Sequence, residues 1–266
     1  MYEFSYHKAK DLKDAAARLA ANEEAKLLAG GQTLIAAMKL RLAAPAELVD
    51  LRDIAELKGV CVDGKSLVIG AMTRHAEVAE SGEVLKSIPA LASLAGEIGD
   101  RMVRNMGTLG GSVANNDPAA DYPAALLGLG ATVNTGKRKL AADDFFTGMY
   151  ETALEPGEII HSIAFPVPKR AGYAKFKNPA SRYAIVGVFV ADFGDAVRVA
   201  VTGAGACAFR VAKMEKALAR KFAAESVAKI SVPSDELNTD LHASAEYRAH
   251  LVTVMAKRAV ERALGK

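Results

Sequence analysis

The chain has 266 residues, 51% of them hydrophobic and 24% charged, and its 34 Lys and Arg against 31 Asp and Glu leave a formal charge of +3. That balance excludes a disordered chain and fits one large domain or about two or three small ones. No apolar run reaches the roughly 20 residues of a membrane span, and MYEFSYHKAKDLKD lacks the apolar core of a secretory signal, so a cytoplasmic protein is the default expectation. The charge is too small and too evenly spread for nucleic acid. Cys61 and Cys207 lie outside any C-x-x-C pair, so no metal or iron–sulfur centre is expected in this chain. Both read as small buried hydrophobes.

In chain order, Asp11 is expected to cap a helix carrying Leu12, Ala15, Ala16 and Leu19. A short strand at 26–29 runs into Gly30-Gly31, and a helix through Leu34, Ile35, Met38 and Leu42 follows, stopped by Pro45. Residues 47–51 form another strand, which closes a first unit at residue 57. The next unit opens with a hairpin, 59–62 and 66–69, turned by Asp63-Gly64. Thr73 then caps a short helix, and Pro89 begins a longer one. Residues 104–112 break all periodicity, after which Asp117-Pro118 starts a helix through Ala124, Leu127 and Leu129. Strands at 131–135 and 158–165 lead to Pro166 and Pro168, so the second unit spans 58–171. The last, 172–266, holds three strands, at 173–176, 185–190 and 197–201. Two amphipathic helices follow, at 209–222 and 244–264, the second with Tyr247, Leu251, Val254, Met255 and Ala259 on one side. The class is α+β.

Two glycine pairs carry the chemical signal. Ala29-Gly30-Gly31-Gln32-Thr33-Leu34 runs from strand to helix, where glycine-thin backbone lets N–H groups approach an anion and the helix start adds its own. A diphosphate is the natural guest, and a plain tight turn is the alternative. The loop is neither G-x-G-x-x-G nor a Walker loop. Thr108-Leu109-Gly110-Gly111-Ser112 is the second pair. On this reading, a bulky residue at Gly31 or Gly110 would strike phosphate oxygens. Asp117 reads as a helix cap, and Asp121 as either a carboxylate of the first helical turn or a ligand contact. The five histidines have no ligand spacing, although the resemblance given next would put Thr73-Arg74-His75, at a helix start after Ile69-Gly70-Ala71, near the cofactor.

The first loop, continued by Met38-Lys39-Leu40-Arg41-Leu42, Pro45 and Leu48-Val49-Asp50-Leu51, resembles the first FAD motif of molybdenum hydroxylase flavoprotein subunits. Arg104 to Ala114, then Asp117-Pro118-Ala119-Ala120-Asp121, resembles their second. Among them the chain is similar to the medium subunit of aerobic carbon monoxide dehydrogenase, over nearly its whole length. The resemblance implies two α/β FAD-binding subdomains of the vanillyl-alcohol oxidase and xanthine dehydrogenase flavin type, and a C-terminal domain with a three-stranded antiparallel sheet and helices. It implies FAD, with its diphosphate held by Ala29, Gly30, Gly31, Gln32, Thr33 and Leu34 and by Thr108, Leu109, Gly110, Gly111 and Ser112. Asp121 would accept a hydrogen bond from the cofactor, Ile160 would meet it through backbone, and Lys177 would lie near the flavin, favouring its reduced anion. Tyr183 matches a tyrosine placed against the isoalloxazine. No catalytic residue and no metal ligand is expected. The implied partners are a molybdopterin-containing large subunit, a small subunit with [2Fe–2S] clusters and an external electron acceptor. A self-contained FAD oxidase, or a scaffold that has lost FAD, are the alternatives.

Overall fold

The computed structural model describes residues 1–266. Its first sheet is parallel, with Glu47–Asp50 between Ser5–Lys8 and Ala25–Leu28. The helices Leu12–Ala21 and Leu34–Lys39 make the connections that parallel strands require. Asp11 caps the first helix, its carboxylate accepting from the Asp14 N–H at 2.7 Å. The second helix stops well before Pro45. Arg41 takes a left-handed φ of 60° and the Leu42 N–H reaches back to the Ala37 carbonyl at 2.9 Å, a closure that satisfies a carbonyl of the last turn.

The second sheet is antiparallel, in the order Val60–Asp63, Ser66–Gly70, Ile160–Pro166, Thr132–Thr135, Lys139–Ala141. The Asp63-Gly64 turn is present, with Gly64 at φ +58°. Cys61 is exposed on the edge strand of this sheet and Cys207 is half-buried, so neither is the buried hydrophobe expected. Thr73 does not cap. Its hydroxyl pins Gly59, donating to the carbonyl at 3.1 Å and accepting from the N–H at 3.0 Å. The helix His75–Glu80 begins instead from Arg74, whose N–H donates to Glu77 at 2.7 Å. Residues 101–115 are two short helices, Arg101–Met106 and Leu109–Asn115, capped by Asp100 and Thr108. The glycines that hide the second from a periodicity reading are its first turn. Asp117 accepts from the Ala119 N–H at 2.9 Å in a turn, and Asp121 occupies the cap position of the helix Tyr122–Leu129.

The third sheet is antiparallel: Arg170–Lys177, Ala184–Asp192, Val197–Thr202 and a fourth strand of two residues, Phe209–Arg210. That short strand takes the place of the expected helix start, and the helix runs Ala212–Arg220. The helix Ala245–Ala263 lies on the first two strands, so closely that a Cβ at Gly172 would come within 2.0 Å of the Ala259 carbonyl oxygen. Its buried face carries Leu251, Val252, Met255, Ala256, Ala259 and Val260. Tyr247 is turned outward, and Arg248 is buried in its stead, donating to the carbonyls of Ile185 (2.7 Å) and Gly203 (2.8 Å) and to Asp240 (2.7 Å).

Every residue of Tyr122–Leu129 is buried, as an all-round apolar helix demands. It lies between the second and third sheets, in one core that runs from Leu67, Ile163 and Phe165 to Tyr173, Phe189 and Ala200. Met72 and Ile159 likewise join the core of the first sheet beside Leu57. The three sheets are therefore welded through shared apolar contacts. No helix is long and apolar enough to cross a membrane.

The glycine loops are part of that weld. A Cβ at Gly30 would lie 2.2 Å from the Met106 carbonyl oxygen, and one at Gly110 would lie 2.5 Å from the Ala71 Cβ. A side chain at Gly110 thus strikes the protein rather than a phosphate. Gly110→Val is expected to destabilise the cofactor-free chain by about 1–3 kcal/mol, the range for an overpacked core. Urea unfolding without flavin checks this, and an unchanged midpoint would show that Ala71 moves aside freely.

Candidate functional site

The two glycine loops meet along a cleft of about 660 Å³. Ala29 through Leu34 line it, and none of their six backbone N–H groups makes a hydrogen bond within the chain. Gly31, at φ +70°, makes the left-handed turn of this loop. The second loop differs. Its Leu109 N–H donates to the Thr73 carbonyl (3.0 Å) and its Gly110 N–H to the Ala71 carbonyl (2.8 Å). The Gly111 N–H donates to the Thr108 hydroxyl (3.2 Å) and the Ser112 N–H to the Thr108 carbonyl (3.1 Å). Only the Thr108 N–H and the Ser112 hydroxyl are left without a partner there. One loop is an anion cradle, and the other is chiefly the wall that positions it.

Thr108, Gly110, Gly111, Ser112, Asp121, Ile160 and Tyr183 also line the cleft. Leu109 does not; its side chain is fully buried in the core. Lys177 does not either. The register with the neighbouring strand slips between Phe176 and Lys177, and Lys177 ends exposed. The lysine paired with the cleft residue Asp121 is Lys175, two positions earlier on the same strand. Its ammonium is wholly buried, 3.0 Å from Asp121, and also donates to the Glu97 carbonyl at 2.9 Å. Tyr173, on the same strand face, donates its hydroxyl to Asp121 as well. Burial pushes the Asp121 carboxyl above its ordinary range, against the pull of Lys175 and Tyr173. Tyr173 and Lys175 were illegible as site residues because a buried lysine is rare unless paired, and the pairing spans 54 positions.

The other carboxylates of the cleft are also held. Glu158 accepts from Arg138 at 3.0 Å through both oxygens, a fork that holds its carboxyl down at about 2. Asp117 accepts from the Ala119 N–H and from the Tyr150 hydroxyl at 3.4 Å. Tyr150, at a left-handed φ of 57°, stands near Tyr183 on the cleft wall, and burial raises the hydroxyl pKa of both. His75 lines the floor with its ring against Gly107, and burial, aided by the Arg104 cation, drives its pKa down to about 4. It is a neutral imidazole at pH 7.

Residues 2–168 match the family model described as the FAD binding domain in molybdopterin dehydrogenase. The chain belongs to that family. FAD is its cofactor, and it is a subunit type of oxidoreductase complexes. It is 38% identical to the carbon monoxide dehydrogenase medium chain of Afipia carboxidovorans, across 98% of this chain and 96% of the relative. It is 33% identical to the glyceraldehyde dehydrogenase medium chain of Sulfolobus acidocaldarius, across 97% of each. Among solved structures, carbon monoxide dehydrogenase from Oligotropha carboxidovorans superposes with a TM-score of 0.88 at 36% identity, covering 99% of this chain and 98% of the other. Quinoline 2-oxidoreductase from Pseudomonas putida 86 gives 0.89 at 28% identity, with the same coverage. The cleft fits the cofactor on its own evidence, since the amides of Ala29 to Leu34 that line it are free of partners in the chain and suit an anion such as a diphosphate.

Two outcomes follow from this geometry. Asp121→Ala strands the Lys175 charge in the interior, so it should cost about 3–5 kcal/mol of folding stability, far above the loss of one exposed carboxylate. Lys175→Met in the same chain should recover most of it, and urea unfolding of the single and double variants reads the difference. Additive losses would show that the pair is not coupled. The second concerns His75. A histidine whose folded pKa lies below its unfolded value stabilises the fold above about pH 6.5, and that stability is lost as pH falls towards 4. The cofactor-free chain should lose on the order of 3 kcal/mol over that window from this group. His75→Gln, which does not titrate, should show a shallower decline, and matching slopes would mean that the imidazole is not held neutral.

Proposed function

We propose that this chain is the FAD-carrying electron-transfer subunit of a molybdenum-containing hydroxylase or dehydrogenase. It works between a small subunit bearing [2Fe–2S] clusters and an external electron acceptor, while a molybdopterin-containing large subunit oxidises the substrate. Bound FAD supplies the capacity to take electrons singly and to release them in pairs. Ala29 to Leu34 would hold its diphosphate, with Thr108 and Ser112 across the cleft, Asp121 and Ile160 beside it and Tyr183 at the wall.

The observation that carries this reading is the amide loop in a chain similar, over its full length, to medium chains of such enzymes. The cleft's titratable groups support it. Asp117, Asp121 and Glu158 each have donors within the protein, and burial, by driving the His75 pKa down to about 4, makes that imidazole a weak base, so none of these groups is poised to abstract a substrate proton. That favours electron transfer over a self-contained oxidase. Lys177, exposed and outside the cleft, has no part in the proposed site.

The chain loaded with FAD should reduce dyes or quinones when a chemical reductant is supplied, and should leave carbon monoxide, aldehydes and purines untouched. Joining the two partner subunits should couple substrate oxidation to the same acceptors. Turnover of an organic substrate by the isolated, FAD-loaded chain would overturn the division of labour.

A further inference from the structure

His75 has a feature that its placement in the floor of the cleft does not explain. It is 5% exposed, yet neither ring nitrogen has a hydrogen-bond partner in the chain. Buried imidazole nitrogens are almost always partnered, so the enclosed Nδ1 requires an account, and with it the choice of which nitrogen carries the proton. The two are not alike. Nδ1 is shut away from solvent, whereas Nε2 keeps open surface and lies where a Cβ on Gly107, another residue of the cleft, would come within 2.6 Å of it. The ring is locked there. The His75 N–H donates to the Gly107 carbonyl at 3.0 Å, and the Tyr122 ring packs on it with centroids 5.4 Å apart.

We propose that His75 is a hydrogen-bond donor to bound FAD, through Nε2–H of a fixed neutral tautomer. The tautomer follows from the two environments. A proton on Nδ1 would be an enclosed donor with no acceptor, the rarer and costlier kind of orphan, whereas on Nε2 it faces the cleft. The location follows from the loops. A Cβ on Gly30 would lie 2.7 Å from the Gly107 Cα, so Gly107 packs against both the first loop and the ring, and His75 lines the same cleft as the open amides. An acceptor oxygen of the cofactor in that cradle is the partner that this nitrogen lacks. The Arg104 cation nearby disfavours a second proton, so the imidazole contributes direction rather than charge. This rests on the cleft as the FAD site, and makes His75 a positioning residue that sets the cofactor's seat.

Titration of the full-length apoprotein with FAD, followed by quenching of flavin fluorescence, tests it. His75→Leu should weaken FAD binding roughly ten- to a hundredfold, the range for a donor lost from an anionic or strongly accepting partner. His75→Gln keeps an N–H donor at a matching reach and should stay within a fewfold of the parent chain. Thermal unfolding without FAD shows whether each variant is folded. Equal affinity in a folded His75→Leu would overturn the proposal, as would an equal loss in both variants. Should the Leu variant not fold, ¹⁵N spectra of the parent chain decide. The His75 ring should show a protonated Nε2 and a bare Nδ1, with the Nε2 resonance moving when FAD is added; a proton on Nδ1, or an Nε2 signal indifferent to FAD, would overturn it. A parent chain with no affinity for FAD would remove the cleft as the FAD site, and this inference with it.

Discussion

Six successive amides without acceptors, from Ala29 to Leu34, are the constraint on which the rest of the site depends. Ala29, Gly30, Gly31 and Leu34 are half-buried and Gln32 and Thr33 exposed, so the run is open to an acceptor that enters from the cleft. Holding them open requires that the backbone neither collapse into a turn nor be walled off by side chains. Gly31 supplies the left-handed turn, and Gly30 lets the Met106–Gly107 backbone close behind it, at a separation where any Cβ would overlap a carbonyl oxygen. The second loop spends its own amides on Ala71, Thr73 and Thr108 to stand still in that position. The two glycine pairs are thus asymmetric. The amides of one are left without partners in the chain, and those of the other are satisfied and brace it.

Bracing of this kind reaches across the molecule. The helix Tyr122–Leu129 is apolar on every side because both of its flanks are sheets, and its cap residue Asp121 is tied to Tyr173 and Lys175 of the third sheet. The cleft floor is therefore fixed to a strand whose outer side carries the long C-terminal helix. Gly172 and Ala259 bring that helix to backbone contact, and Arg262 adds a bond to the Tyr173 carbonyl at 2.5 Å. Buried ion pairs are weak sources of stability but strong determinants of arrangement, and here one pair fixes how the second and third sheets sit about the cleft.

Much of this was legible in the sequence where a local rule suffices. Asp11, Pro89 and Ser244 mark helix starts, Asp63-Gly64 marks a hairpin, and Gly30-Gly31 marks the amide loop. Rules that depend on distant partners were not legible. Two glycines in a first turn argue against a helix, and Leu109–Asn115 forms because Thr108 caps it and Leu109 and Val113 are buried in the core. Tyr247 fits the apolar stripe of the last helix better than Arg248 does. Yet the arginine is the buried one, since the Ile185 and Gly203 carbonyls need a donor that only the folded sheet brings together. Lys175 and Lys177 share a strand parity, and the register slip that parts them is not written in either residue.

His75 unites the two kinds of information. Its position after Thr73-Arg74 is local, set by the Glu77 bond that starts its helix and by the Thr73 hydroxyl that pins Gly59. Its chemistry is tertiary, because packing against Tyr122 and Gly107 buries the ring, shuts Nδ1 from water and leaves Nε2 towards the cleft with no partner in the chain. An imidazole beside an anion site invites the reading of a cation, but burial and Arg104 both oppose the second proton. The cradle then attracts its anion through oriented amides, whose dipoles do not titrate, and its grip stays independent of pH where a histidinium would have made it vary. An FAD-binding subunit that must keep its cofactor seated is better served by fixed dipoles than by a charge that comes and goes.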